Sequence, residues 1–293
     1  MKSSPSRAMK FDTCPRQYQY QYIWGWRRRL TPDTLVFGKV IDTAARLYLL
    51  AQADGRQEDP AARFESLWRE KTRSEQIEYR AKRDADSLMA IGIALMEKLA
   101  AWWPQSGYQV AVDKDGRPIV QRAIVADLGR GIEHMVIIDL MVVDPAGRFG
   151  VWDIKTAARE PPEEWLEHSE QLLDYAMIAQ AAHAELGVPV DEIRYLHLLK
   201  RVIPKKSKGK GPELVLSKAL PMPDDQAKNE RVEKLRWQQN IIRQGLFPKA
   251  PRMSFNSPCS MCDFAIHCIH GRTEGLSLPN KQVAESPEDI ELV

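Results

Sequence analysis

"HMVIIDLMVVDPAGRFGVWDIKTA", residues 134–157, reads as two strands joined by a turn at Asp144-Pro145-Ala146-Gly147. Runs of Ile, Val, Leu and Trp suited to burial are interrupted by Asp139, Asp153 and Lys155. A hairpin symmetric about Ala146 sets Asp139 across from Asp153, with Cβ atoms about 4.5–5.5 Å apart. Like charges facing each other on neighbouring strands destabilise a sheet unless something positive lies between them. A hard divalent cation such as magnesium answers that need. Alternation puts Lys155 on the face of Asp153 and turns Ile154 to the opposite side. A lysine beside a metal and two carboxylates can orient or deprotonate an attacking water, which suits phosphodiester hydrolysis. The plain alternative is two acids on a solvated sheet face.

Outward from this hairpin, "RPIVQRAIVADL" (117–128) predicts a third strand and "DEIRYLHLLKRVI" (191–203) a fourth. Between the hairpin and that fourth strand, Pro161-Pro162-Glu163-Glu164 opens a long helix running to Gly187. Upstream, helices are expected over about 32–55, capped by Asp33, and over about 59–79 and 84–103. Residues 203–217 read as a polar loop or hairpin tip and 224–245 as helix. The order predicts an α/β fold, a mixed sheet core flanked by helices.

With 293 residues, 44% hydrophobic and 28% charged, the composition is that of a globular protein. The net charge of +2 is too near zero to argue for or against nucleic acid. No apolar run is long enough to span a membrane, and the N-terminal residues lack the apolar region of a secretory signal. The expected location is cytoplasmic, where four cysteines are metal ligands, catalytic or core residues rather than disulfides. No G-x-x-x-x-G-K-[ST], G-x-S-x-G or H-E-x-x-H occurs, which argues against a P-loop motor, a serine hydrolase and a metalloprotease.

Asp139 followed by "DIK" at Asp153, Ile154 and Lys155 resembles the PD-(D/E)XK nuclease superfamily. "QLLDY", with Gln171 and Tyr175 on one helix face, is similar to the mark of its RecB-like branch. The resemblance implies a restriction-endonuclease-like core and magnesium or manganese held by Asp139, Asp153 and the Ile154 carbonyl. It gives Lys155 the alignment of water, and Gln171 and Tyr175 the positioning of DNA and lysine. RecB-like nucleases carry a histidine ligand in a GxxxH pattern. The matching "GKVID", Gly38 to Asp42, has aspartate there. Asp42 is either a substitute ligand or a surface residue of its helix. The implied activity is metal-dependent DNA exonuclease action on single strands or DNA ends, in recombination, repair or phage DNA processing, with recombination or repair proteins as partners. The alternative is a non-catalytic DNA-binding adaptor with the same fold.

Cys259, Cys262 and Cys268 form C-x2-C-x5-C, and Cys14 stands alone in "TCPRQYQYQY". Four cysteines suit tetrahedral zinc, with His267 and His270 as spare ligands, or an iron–sulfur cluster. The arrangement resembles the 4Fe–4S staple of RecB-like exonucleases, CRISPR-associated ones among them, and "CPRQY" from Cys14 is similar to that family's CPRxY start. It implies N- and C-terminal segments joined by a 4Fe–4S cluster. On this reading 1–273 is one nuclease domain. Its core is about 109–203, its helical insert about 33–104 and its staple residues 14 and 259–268, and 274–293 form a mobile tail. Lys200, Arg201, Lys205 and Lys206 belong to a basic run that either grips phosphates or is a solvated tip. His197 is expected to be a satisfied, partly buried strand histidine. The aromatics near Cys14 are expected to pack around the cluster.

Overall fold

The computed structural model describes residues 2–81, 83–166, 168–204, 209–220, 222–252 and 257–279. The chain divides into two compact units. One contains 32–126 and 135–228; the other contains 1–31, 127–134 and 229–293. No helix among the described residues is long and apolar enough to cross a membrane.

The larger unit opens with three helices, Asp33–Ala53, Pro60–Ser74 and Ala85–Ser106. The Asp59 side chain caps the second by accepting from the N–H groups of Ala61 and Ala62. A reciprocal box between Asp84 and Ser87 caps the third. Asp33 does not cap the first. Pro32 holds that position, and Asp33 is the first helical residue, fully buried beside Arg80 and Arg83. Phe37, Phe64 and Trp68 interlock at the centre of these helices and belong to the same core as Leu140, Trp152 and Leu198 of the sheet.

In the sheet, Glu133–Val143 and Phe149–Ala157 pair antiparallel, with Leu140 opposite Trp152 and Val143 opposite Phe149. This is the register expected for symmetry about Ala146. The turn explains it. Asp144 Oδ1 accepts from the N–H groups of Ala146 (2.8 Å) and Arg148 (2.9 Å), and Gly147 takes the left-handed φ of 81° that closes the loop. Phe149–Ala157 then pairs parallel with Glu192–Leu199, which pairs antiparallel with Glu213–Leu216. Parallel neighbours need a crossover connection, and the helix Glu170–Ala181 lies on it. The long helix expected over 161–187 is broken into Glu163–Leu166, Glu170–Ala181 and His183–Leu186. Ser169 is the cause: its hydroxyl caps the second piece by accepting from Leu172 N–H. The expected polar loop at 203–217 contains the strand Glu213–Leu216.

In the smaller unit, the helix Pro5–Thr13 and the part of the helix Asp225–Arg243 from residue 229 on contribute Phe11 and Ile242 to a small core with Tyr18 and Phe247. Leu276–Ser277 pairs antiparallel with Arg27–Arg28, so residues just past 273 are tied to the N-terminal segment. Residues 280–293 of the expected tail lie outside the described residues.

Candidate active site

Sequence alternation and the hairpin register together deliver Asp139, Asp153 and Lys155 to one place. The Ile154 N–H donates to Asp139 Oδ2 at 3.0 Å, which ties the two strands at the level of the acids. Lys155 Nζ lies 3.1 Å from Asp153 Oδ2. That oxygen is buried and accepts no well-directed hydrogen bond. From the crossover helix, Gln171 Nε2 donates to Asp153 Oδ1 at 3.1 Å and to the Tyr175 hydroxyl at 2.7 Å. The four-residue spacing of Gln171 and Tyr175 is what lets one amide serve both.

Burial, with the Asp153 charge adding to it, lifts the Asp139 carboxyl well above the usual range; Lys155 and the Ile154 N–H oppose the rise. Burial works against the charge of Lys155, but Asp153 and Asp139 outweigh it and hold the amine above its ordinary value. Burial and the same two aspartates push Tyr175 well up, so its hydroxyl keeps its proton. The pattern is a buried acidic pair incompletely neutralised by one lysine.

Asp42 sits on the Asp33–Ala53 helix and accepts a hydrogen bond from Gln121 Nε2. Burial raises its carboxyl, while Gln121, Arg46 and Lys155 pull it back down. It is half-buried and lies within electrostatic reach of Lys155 and Asp153. One turn earlier, a Cβ on Gly38 would stand 3.6 Å from Thr156 Oγ1, so helix and strand pass closely there. Among the described residues no three His, Cys, Asp or Glu side chains converge as a ready-made ligand set.

The basic run is split. Lys200 lies over the Phe37 ring at 5.6 Å, and burial together with Arg83 lowers its pKa. Arg201 is paired with Glu213. Lys205 and Lys206 fall outside the described residues.

In the smaller unit Cys14, Cys259, Cys262 and Cys268 line one small cavity together with Arg16, Lys249 and Arg252. All four are free and half-buried. Burial pushes the Cys262 thiol up to about 11, with Cys14 and Cys259 adding to the rise. Tyr20, Phe264 and Leu276 form the adjoining core, with Trp26 packed against it. Tyr20 and Trp26 stack with ring centroids 5.2 Å apart.

Residues 2–269 match the family model of the PD-(D/E)XK nuclease superfamily. The chain belongs to that superfamily. Among solved structures, the one titled "Crystal structure of SSO0001" is similar at 12% identity and a TM-score of 0.39, with 92% of this chain and 85% of that chain covered. A superposition that loose carries no argument. No curated protein matches.

Membership of the PD-(D/E)XK superfamily implies a metal-dependent nuclease and a nucleic-acid substrate. Seen as such a fold, the site has a wall that sequence reasoning missed. The parallel register pairs Asp153 with Tyr195 and Lys155 with His197, which places all four on one sheet face. The Tyr195 hydroxyl meets Ser169 Oγ at 2.5 Å, and burial with the Asp153 charge pushes it up to about 12. His197 stacks on Tyr195 at 5.3 Å. It is 3% exposed and neither ring nitrogen has a hydrogen-bond partner among the described residues, so the expectation of a satisfied, partly buried histidine is corrected. Gln121 was also missed, as no motif marks it.

Proposed function

We propose that this PD-(D/E)XK protein is a RecB-like, metal-dependent deoxyribonuclease that removes nucleotides from single-stranded DNA or DNA ends. The observation that carries the reading is the Asp139–Asp153–Lys155 set with Gln171 hydrogen-bonded to Asp153. The acids fit a magnesium or manganese ion. Asp153 Oδ2 is buried and accepts no directed hydrogen bond among the described residues, and burial beside the Asp153 charge works against the Asp139 anion. A pair of carboxylates, rather than a full protein cage, suits magnesium, which keeps several of its waters. Asp139, Asp153, the Ile154 carbonyl and Asp42 would hold the ion. When bound, it supplies Lewis-acid polarisation of the phosphate and lowers the pKa of a water.

The chain's own groups do the rest. Lys155, kept charged by its two aspartates, orients the attacking water and faces the charge that develops on the phosphate. Gln171 fixes the Asp153 carboxylate, and Tyr175, through the same amide, fixes Gln171. Lys200 offers a cation to the DNA backbone.

We further read the cysteine cavity as the seat of a 4Fe–4S cluster. The four thiols line one shared cavity, and together they supply the four thiolates that such a cluster takes. Thiolates of a cluster there would face Arg16, Lys249 and Arg252. A biological role in recombination, repair or phage DNA processing is consistent with such an enzyme.

The non-catalytic adaptor reading rests on Asp42, which stands where RecB-like nucleases carry a histidine ligand. One experiment separates the two. Linear and circular single-stranded DNA are incubated with anaerobically purified protein in magnesium or manganese. Loss of the linear form alone supports an exonuclease, and loss of both an endonuclease. Survival of both, with retention on a gel shift, supports the adaptor.

A further inference from the structure

Gln121 has a backbone that a strand residue does not ordinarily adopt. It is the second residue of the Val120–Asp127 strand, yet its φ is +46°. Among the described non-glycine residues only Arg130, between two turn glycines, shares that sign. A left-handed conformation is strained for a residue with a Cβ, and such strain collects where a side chain must be aimed. Its neighbours explain nothing of it. Val120 is buried in the core, and Arg122 reaches back to Asp113 at 2.6 Å. The Gln121 amide is what the distortion aims, and it donates to Asp42 Oδ2.

The chemistry of that contact is specific. Asp42 is a half-buried carboxylate on a helix whose Gly38 abuts the strand carrying Lys155. Arg46 is the nearby cation on its own helix; Lys155 and Asp153 face it from the sheet. A neutral amide that donates one hydrogen bond fixes the rotation of the carboxylate without cancelling its charge. A lysine or arginine in its place would occupy the anion.

We infer that Gln121 is a positioning residue. It holds Asp42 by Oδ2 so that the remaining oxygen serves the divalent cation of the active site. This rests on the reading of Asp42 as a ligand, and the test separates the two.

Manganese affinity is measured by the electron paramagnetic resonance signal of free Mn2+, beside thermal melting, for wild type, Gln121→Gly, Gln121→Met and Asp42→Ala. Glycine relieves the left-handed backbone and removes the amide; methionine keeps the length and removes only the donor. Gln121→Gly is expected to melt at or above the wild-type temperature and to bind manganese about tenfold more weakly. Gln121→Met is expected to show the same loss of affinity. A hydrogen bond that merely pins helix to strand predicts the reverse, lower melting with unchanged affinity, and unchanged affinity in both variants overturns the inference. Unchanged affinity in Asp42→Ala sinks the ligand reading itself. A loss in Asp42→Ala without a loss in the Gln121 variants sinks the Gln121 inference alone.

Discussion

Gln171 Nε2 stands 3.1 Å from Asp153 Oδ1, a side chain of the crossover helix closing on the strand that the helix follows. Asp153 is fully buried, and its other oxygen faces Lys155. Removal of Gln171 therefore leaves Oδ1 without its donor. Gln171→Ala is expected to lower nuclease activity about 10–100-fold, the usual range for a residue that orients a ligand. Tyr175→Phe, which keeps the donation from Gln171 to Asp153, is expected to cost less. Steady-state rates with circular dichroism as the folding control check both.

Divalent metal should stabilise the protein. Asp139 and Asp153 are buried like charges, so an ion bound to the folded state offsets their repulsion. At 100 times its dissociation constant, a ligand of the folded state adds about 2.7 kcal/mol. A rise of several degrees in melting temperature on adding magnesium is expected, reversed by a chelator and absent in Asp153→Asn. An Asp153→Asn variant that still shifts would place the metal elsewhere.

The cysteine reading predicts iron and sulfide in equal amounts, four of each per chain, in anaerobically purified protein with a brown colour. Cys14→Ser and Cys262→Ser should both lose the colour, since both line the one cavity. Stoichiometric zinc in colourless protein would favour the rival metal.

Asp113 carries an acid-stability prediction away from the site. Its burial opposes ionisation, but the Arg117 and Asp115 N–H groups and the Arg117 guanidinium outweigh that and hold it down at about 2. In the unfolded chain an aspartate titrates near about 3.9. A lowered folded value stabilises the protein above the unfolded pKa, and that contribution disappears as pH falls toward about 2. Asp113→Asn should thus melt lower than wild type at neutral pH. The gap should close between about pH 4 and pH 2 in melting scans.

Gly92 tests the packing of the helical insert. An added Cβ would sit 2.0 Å from Cζ of Phe64, which is fully buried and stacked on Trp68. Alanine in a helix gains about 0.5–1 kcal/mol over glycine, but overpacking costs about 1–3 kcal/mol. The clash wins. Gly92→Ala should be destabilised in urea titration.

The hairpin register and the placement of Asp139, Asp153 and Lys155 were legible because period-two alternation and a well-marked turn leave little freedom there. Gln171 and Tyr175 were legible as a pair for the matching helical reason. What was not legible depends on distant partners. No local signal announces that Gln121 adopts a left-handed backbone to meet Asp42. Tyr195 and His197 join the site through the parallel register across a crossover, which sequence does not fix. Asp33 looked like a cap, but Arg80 and Arg83 claim it from another segment. Ser169 broke the long helix because its hydroxyl offered the backbone a cap inside a continuous polar–apolar pattern.

The most direct test of the central claim, that Asp139, Asp153 and Lys155 form a metal-dependent hydrolytic centre, is single-turnover degradation of end-labelled linear DNA. Wild type in magnesium or manganese is compared with Lys155→Met and with a chelator control. The account predicts shortened products from wild type alone, with Lys155→Met down at least about 100-fold while its DNA affinity is nearly kept. Equal degradation by Lys155→Met, or degradation that survives the chelator, would contradict it.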